Sequence, residues 1–169
     1  MPEEMLATPE AAEAAPVAPV LTDDTPLAGT KFTVGELRMA GVPEDIVMKL
    51  PAILDAVKPR RIGLIEANGD WYVYRSLGRH EFKAIVKEAT DRISKKAEAA
   101  AKAGQQLNPA VLNAESQAWL EEKVSVIGSV YPRLSAGSIN EGEAGVPKLL
   151  HDGVMARSNF EQTSEPISL

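Results

Sequence analysis

Ile62 to Lys87 reads IGLIEANGDWYVYRSLGRHEFKAIVK, and the rest of the chain is read outward from it. Asn68-Gly69 lies between two apolar runs, the strongest short-range signal of a two-residue type I′ turn, because both residues tolerate the positive φ that turn requires. The turn fixes a register in which Ala67 faces Asp70, Ile65 faces Tyr72, and Gly63 faces Tyr74, whose ring can lie over the missing side chain. Ile62, Leu64, Trp71 and Val73 then share the other face, with Glu66 and Arg75 towards its margins. Both faces are apolar. A lone hairpin is marginal in water, so at least one face needs a cover, and the helix that follows is the nearest candidate.

That helix is expected over 79–103. Phe82, Ile85, Val86, Ala89, Ile93 and Ala97 recur at the spacing of one buried stripe. Glu88 with Arg92, Asp91 with Lys95, and Glu98 with Lys102 mark a charged, solvated opposite face of i,i+4 pairs, each worth about 0.2 to 0.5 kcal/mol. Gly104 stops it. A second amphipathic helix is expected over 113–131, its stripe formed by Trp119, Leu120, Val124, Ile127, Val130 and Tyr131 and its end set by Pro132. The link is short, so the two helices should pack antiparallel with the hairpin against them.

Before the hairpin, Thr33-Val34-Gly35-Glu36 fits a capping box. Gly41 ends that short helix and Pro43 begins the next, with Glu44 and Asp45 in its favourable first turn. Pro51 is expected to break or restart it before 52–57, and short helices in succession suggest a cap on something larger. After the second long helix, 135–142 reads as a Ser/Gly loop and 146–157 as a short helix with Pro147 in its first turn. Asn159 closes that helix and Phe160 folds back on it. Ala40-Gly41-Val42-Pro43 recurs as Ala144-Gly145-Val146-Pro147, a match that helix punctuation alone can produce.

Composition bounds the class. The chain has 169 residues, 44% hydrophobic and 25% charged, enough for one ordinary core. No apolar run approaches the roughly 20 residues of a membrane helix, and no membrane partner is expected. With no cysteine, disulfide and thiolate chemistry are excluded, which fits a reducing cytoplasm. The opening Met-Pro-Glu-Glu lacks a secretory pattern. Residues 1–30 hold six acids, no Lys or Arg and many Ala and Pro, so they account for the formal −6 and are expected to be a flexible, disordered tail. The fold expected is therefore α+β and mainly helical: one β-hairpin (62–77) on two longer antiparallel helices, with short flanking helices, within a single domain over 31–160. Residues 161–169 read as frayed.

Chemistry is sparse. His80 and His151 read as surface residues; a His151-Asp152 neighbour pair on a helix points about 100° apart, and no serine elbow, phosphate loop or metal-ligand spacing accompanies it. No enzyme, metal or cofactor is expected. Lys58, Arg60 and Arg61 beside Trp71, Tyr72 and Tyr74 make a weak single-strand nucleic-acid signal. A neutral body with an acidic tail lacks the basic field such proteins show, so nucleic acid is not the expected partner.

Tyr72-Val73-Tyr74-Arg75-Ser76-Leu77-Gly78-Arg79-His80-Glu81-Phe82-Lys83 resembles a tailed-bacteriophage pattern: an aromatic strand ending in Tyr-Arg-x-Leu, then Thr-Arg-x-Glu-Tyr-Lys opening a helix. Ala144 to Pro147, Leu150, Val154, Met155 and Arg157-Ser158-Asn159-Phe160 are similar to that family's closing Ala-Gly-Ile-Pro helix, which ends in Ser-Gly-Phe. Val124 to Pro132 is similar to its Val-rich helix closing on proline. The family is that of the T-even-type baseplate hub proteins and related tail-assembly chaperones, and the resemblance spans 62–160. Gly78 in place of a hydroxyl N-cap, Asn159 in place of Gly, and Gly153 within the last helix depart from it.

The resemblance implies a non-enzymatic virion or assembly protein whose partners are other phage tail or baseplate proteins. It would act in the host cytoplasm during assembly and remain in the tail or baseplate if retained. A baseplate hub component is the first expectation. A chaperone that binds the tape-measure protein and leaves before maturation is the second, and a small nucleic-acid-binding module is the third. The anchor residues expected are Trp71, Tyr72 and Tyr74 for the hairpin, Arg75 paired with Glu81 at the strand-to-helix junction, Phe82 seating the long helix, and Pro147 and Phe160 for the last helix.

Overall fold

The computed structural model describes residues 21–27 and 30–158. Of the tail expected over 1–30, residues 1–20, 28 and 29 lie outside the described residues, as do Asn159, Phe160 and the frayed end. Residues 21–27 of that tail are not disordered, since Leu27 is buried in one core with Val34 and Leu50 and Pro26 bridges to Thr33. The elements are α1 (Val34–Met39), α2 (Glu44–Val57), β1 (Ile62–Ala67), β2 (Asp70–Arg75), α3 (Arg79–Lys102), α4 (Pro109–Gly128), β3 (Ser129–Tyr131), α5 (Ala136–Glu141) and α6 (Gly145–Arg157).

The hairpin has the register its turn demands. Gly63 faces Tyr74, Ile65 faces Tyr72 and Ala67 faces Asp70, with Asn68 and Gly69 at φ +56° and +90°. It is not a lone hairpin, however. β3 pairs antiparallel with β2 to give a three-stranded sheet in the order β1-β2-β3, Val73 opposite Tyr131 and Tyr74 opposite Ser129 across a bulge. The fold is mostly helical, with this small sheet packed among several helices.

The residues of β3 were expected to end the second long helix, and the reason they do not is local. The residue before a proline is pushed out of the α region, Val130 and Tyr131 favour extended backbone, and β2 would otherwise present an unpaired edge. α4 also starts at Pro109, earlier than expected. Asn108 is its N-cap, accepting from the Ala110 N–H at 2.9 Å, and Pro109 needs no donor at the first turn. The Ser/Gly stretch after β3 forms α5, where Ser135 and Ser138 cap each other.

Each sheet face has its own core. Ile62, Leu64, Trp71 and Val73 pack with Leu27, Val34, Leu37, Val42, Ile46, Val47 and Leu50, so α1 and α2 cap one side. Ile65, Tyr72 and Tyr74 pack with Leu77, Ile85, Val124, Leu150 and Val154 on the other. There the element lying across β1 and β2 is α6, and α4 packs in turn on α6. The helix expected to be short is thus the central layer, with Leu150 and Val154 fully buried.

Two details of α1 and α2 position the cap. The Thr33 hydroxyl accepts from the Glu36 N–H at 3.3 Å while the Thr33 N–H donates to Glu36 Oε2 at 2.7 Å, the reciprocal capping box. α2 runs unbroken through Pro51. Proline removes one ladder bond, but buried Ile46, Val47 and Leu50 hold this stretch of helix to the core. The two Ala-Gly-Val-Pro segments differ in structure: Gly41 has φ +84° and Pro43 is an N-cap, whereas Pro147 lies within α6.

Candidate interaction site

α3 and α4 form a helical arm. Lys96 pairs with Glu115, and Lys123 pairs with Glu88 at 3.1 Å. Rising numbers on one helix meet falling numbers on the other, so the two are antiparallel as expected. Between Thr90 and Ala118 only Ala100 is buried, so the outer part of the arm is largely exposed. Glu88, expected to pair with Arg92 along its own helix, bridges to Lys123 on α4 instead, and the supposed solvated face of α3 is partly a helix-helix contact.

A cleft of about 310 Å³ opens between these helices, lined by Ala89, Ile93, Leu112 and Trp119 with Arg92, Lys95, Lys96 and Glu115 around them. Its apolar floor is accessible: Ile93 retains 36% of its surface. The Arg92 guanidinium lies 5.2 Å from the Trp119 ring centre and the Lys123 ammonium 5.5 Å, within the range where a cation is attracted to an aromatic face. The volume sits at the lower end of the roughly 300 to 1,000 Å³ typical of ligand clefts. Open and helix-walled, with an apolar base and a polar rim, it has the form of a groove for a peptide segment.

The sequence-read anchors lie elsewhere. Trp71 is half-buried on the α1-α2 side, while Tyr72 and Tyr74 are on the α6 side, so the three aromatics do not share one surface. Arg75 forms a fork with Glu81, donating from Nη1 and Nη2 to its two oxygens at 3.2 and 2.8 Å. Glu81 also accepts from the Gly78 N–H at 2.7 Å and pairs with Arg60 at 3.2 Å. The Arg75 hydrogen bond holds its carboxyl below the usual range, helped by the Gly78 amide against the opposing cost of burial. The Arg60 guanidinium lies over Gly78, where an added Cβ would stand 2.2 Å from Nη2, so a side chain there would displace the flexible end of Arg60.

Phe82 is partly buried at the start of α3. The Pro147 carbonyl accepts from the buried Ser125 hydroxyl at 2.7 Å, which ties α6 to α4. Tyr72 and Pro147 also line a crevice of about 40 Å³ with Ile139 and Val146, too confined for a ligand. Burial, then Asp70 and Glu143, push the Tyr72 hydroxyl above its ordinary pKa.

Of the cations considered for nucleic acid, Lys58 pairs with Asp55 at 2.9 Å and Arg60 with Glu81 at 3.2 Å. His80 is exposed. His151 is not the surface residue expected, because its side chain is only 17% exposed and its Nδ1 lies 3.0 Å from Asp152 Oδ1. Rotamers bring together two neighbours whose Cβ vectors diverge. That bond and Lys148 hold the Asp152 carboxyl below its usual range. Among the described residues there is no group of three or more His, Cys, Asp or Glu placed to hold a metal ion, and no helix long and apolar enough to cross a membrane.

Compared with family models, curated proteins and solved structures, the chain matches none. The site therefore rests on its own geometry. The missed feature was the cleft, whose signals were a cationic run, Arg92, Lys95 and Lys96, around exposed Ile93, and a tryptophan in α4.

Proposed function

We propose that this is a non-enzymatic bacteriophage tail protein, a baseplate hub component that works through protein contacts by seating a segment of another tail protein in the α3–α4 cleft. The observation carrying this reading is the cleft itself: an accessible floor of Ile93, Leu112 and Trp119 with a cationic rim, on an arm whose outer part is largely exposed. A groove between two helices with an apolar floor is one recurrent way of holding a peptide segment. The tail setting comes from the sequence resemblance over 62–160. The sheet and the Arg75-Glu81 junction hold the root of the arm.

The test is mass spectrometry of purified virions, with peptide counts scaled to a tail protein of known copy number and cross-links mapped to the cleft. A few copies per particle with cross-links at Lys95 or Lys96 support the hub. Absence from virions, with recovery from infected cells bound to the tape-measure protein, replaces the hub by the assembly chaperone.

A further inference from the structure

The cleft is electrostatically incomplete. Lys96 is neutralised by Glu115, but among the described residues no carboxylate forms an ion pair with Arg92 or Lys95. α3 holds seven Lys or Arg against four acids within a body that is neutral as a whole. The compensating charge lies at the N-terminus. Residues 1–20 carry Glu3, Glu4, Glu10 and Glu13 and no Lys or Arg, with Met5 and Leu6 between the two acidic pairs. An acidic segment with a central apolar pair is the complement of an apolar floor flanked by cations that have no carboxylate partner among the described residues.

The chain from Leu21 back to Met5 spans up to about 55 Å when extended, longer than the diameter of about 36 Å that corresponds to the radius of gyration of about 14 Å of a compact body of this size. The C-terminal residues 159–169 are the weaker complement, with two glutamates only.

We infer that the α3–α4 cleft is a docking site for the protein's own acidic N-terminal segment, Met5 and Leu6 resting on Ile93, Leu112 and Trp119 with the flanking glutamates beside Arg92 and Lys95. The segment then competes with any partner for the cleft, so an arriving tail protein must displace it. This builds on the cleft as the binding site proposed above. It is tested on the free protein, so its failure leaves the partner proposal standing.

With no native cysteine, Thr8→Cys in the full chain gives a single position for a nitroxide label next to the Met5-Leu6 pair but outside it. The expected result is selective broadening of the Trp119 indole N–H and the 92–96 amide resonances, unchanged on tenfold dilution and absent from α1. It should disappear in the labelled Arg92→Glu/Lys95→Glu chain, whose two changes are exposed, and weaken in the labelled parent as salt shortens the Debye length. No broadening at the cleft, broadening that survives charge reversal, or broadening that falls with dilution and so comes from a second copy would each overturn the inference.

Discussion

The ring of Tyr74 lies against the backbone of Gly153: a Cβ added at Gly153 would stand 2.9 Å from Tyr74 Cζ. The opposite wall is Gly63, where an added Cβ would come within 2.4 Å of the same atom. The ring is 7% exposed in its residue context and joins β2 to both β1 and α6. Glycine inside a helix costs about 1 kcal/mol relative to alanine, and here the missing side chain makes room for the aromatic one.

Gly153→Ala should accordingly fail to stabilise, although helix propensity alone favours it. Overpacking a well-filled core costs about 1 to 3 kcal/mol, which exceeds the propensity gain of about 1 kcal/mol. Urea denaturation should show a net loss of about 1 kcal/mol. In a Tyr74→Leu background, which removes the ring, the same change should become neutral or favourable. Stabilisation in the parent chain would mean that the ring is not confined.

The carboxyl of Glu81 links the Arg75 fork, Arg60 and the first turn of α3. Its folded pKa is depressed below the ordinary 4.5, so its contribution is present above that value and is lost as pH falls through the folded pKa. Glu81→Gln should cost about 1 to 3 kcal/mol near neutrality, the range for a hydrogen-bonded charged group. The difference from the parent should shrink below pH 4.5 and vanish once the parent carboxyl is protonated. A difference that is constant across that range would assign the cost to packing.

How far the sequence could be read depended on whether a feature was local. Asn68-Gly69 determines hairpin register through backbone conformation, and Thr33 with Glu36 closes a cap within four residues, so both were visible. β3 is three residues long, too short to show a period of two, and its Val130 and Tyr131 continue the helical stripe of Trp119 and Ile127. In sequence α6 reads only as a short helix, with Gly153 a departure from the family pattern; Gly153 has meaning only beside Tyr74, which is distant in sequence. The cleft escaped for a similar reason. Its cations come from α3 and its tryptophan from α4, and the antiparallel alignment of Lys96 with Glu115 is a tertiary fact.

Substitutions in the cleft should separate binding from folding. Ile93 lines the open cleft and retains 36% of its surface, so Ile93→Glu should leave the chain folded at a cost of about 1 kcal/mol. If the protein is the tail component proposed above, virion incorporation should nevertheless fall sharply, because a carboxylate placed on the apolar floor opposes an apolar segment seated there. Full incorporation of the folded variant would remove the cleft from the assembly contact.

Gly128 ends α4 against α6, where an added Cβ would stand 2.4 Å from Cγ2 of Val154 and 3.2 Å from its Cγ1. Val154 is fully buried, and a β-branched side chain has little χ1 freedom with which to retreat. Gly128→Ala must therefore push the two helices apart, weakening the core that also holds Leu150 and Tyr74. We expect a loss of about 1 to 3 kcal/mol, typical of overpacking, measured by chemical denaturation. Val154→Ala alone should also destabilise, by loss of buried methyl groups. Combined with Gly128→Ala it should cost less than the two separate losses added together, because the vacated space receives the new methyl. Additive losses would show that Gly128 and Val154 are not in direct contact and that α4 and α6 are held together elsewhere along their length.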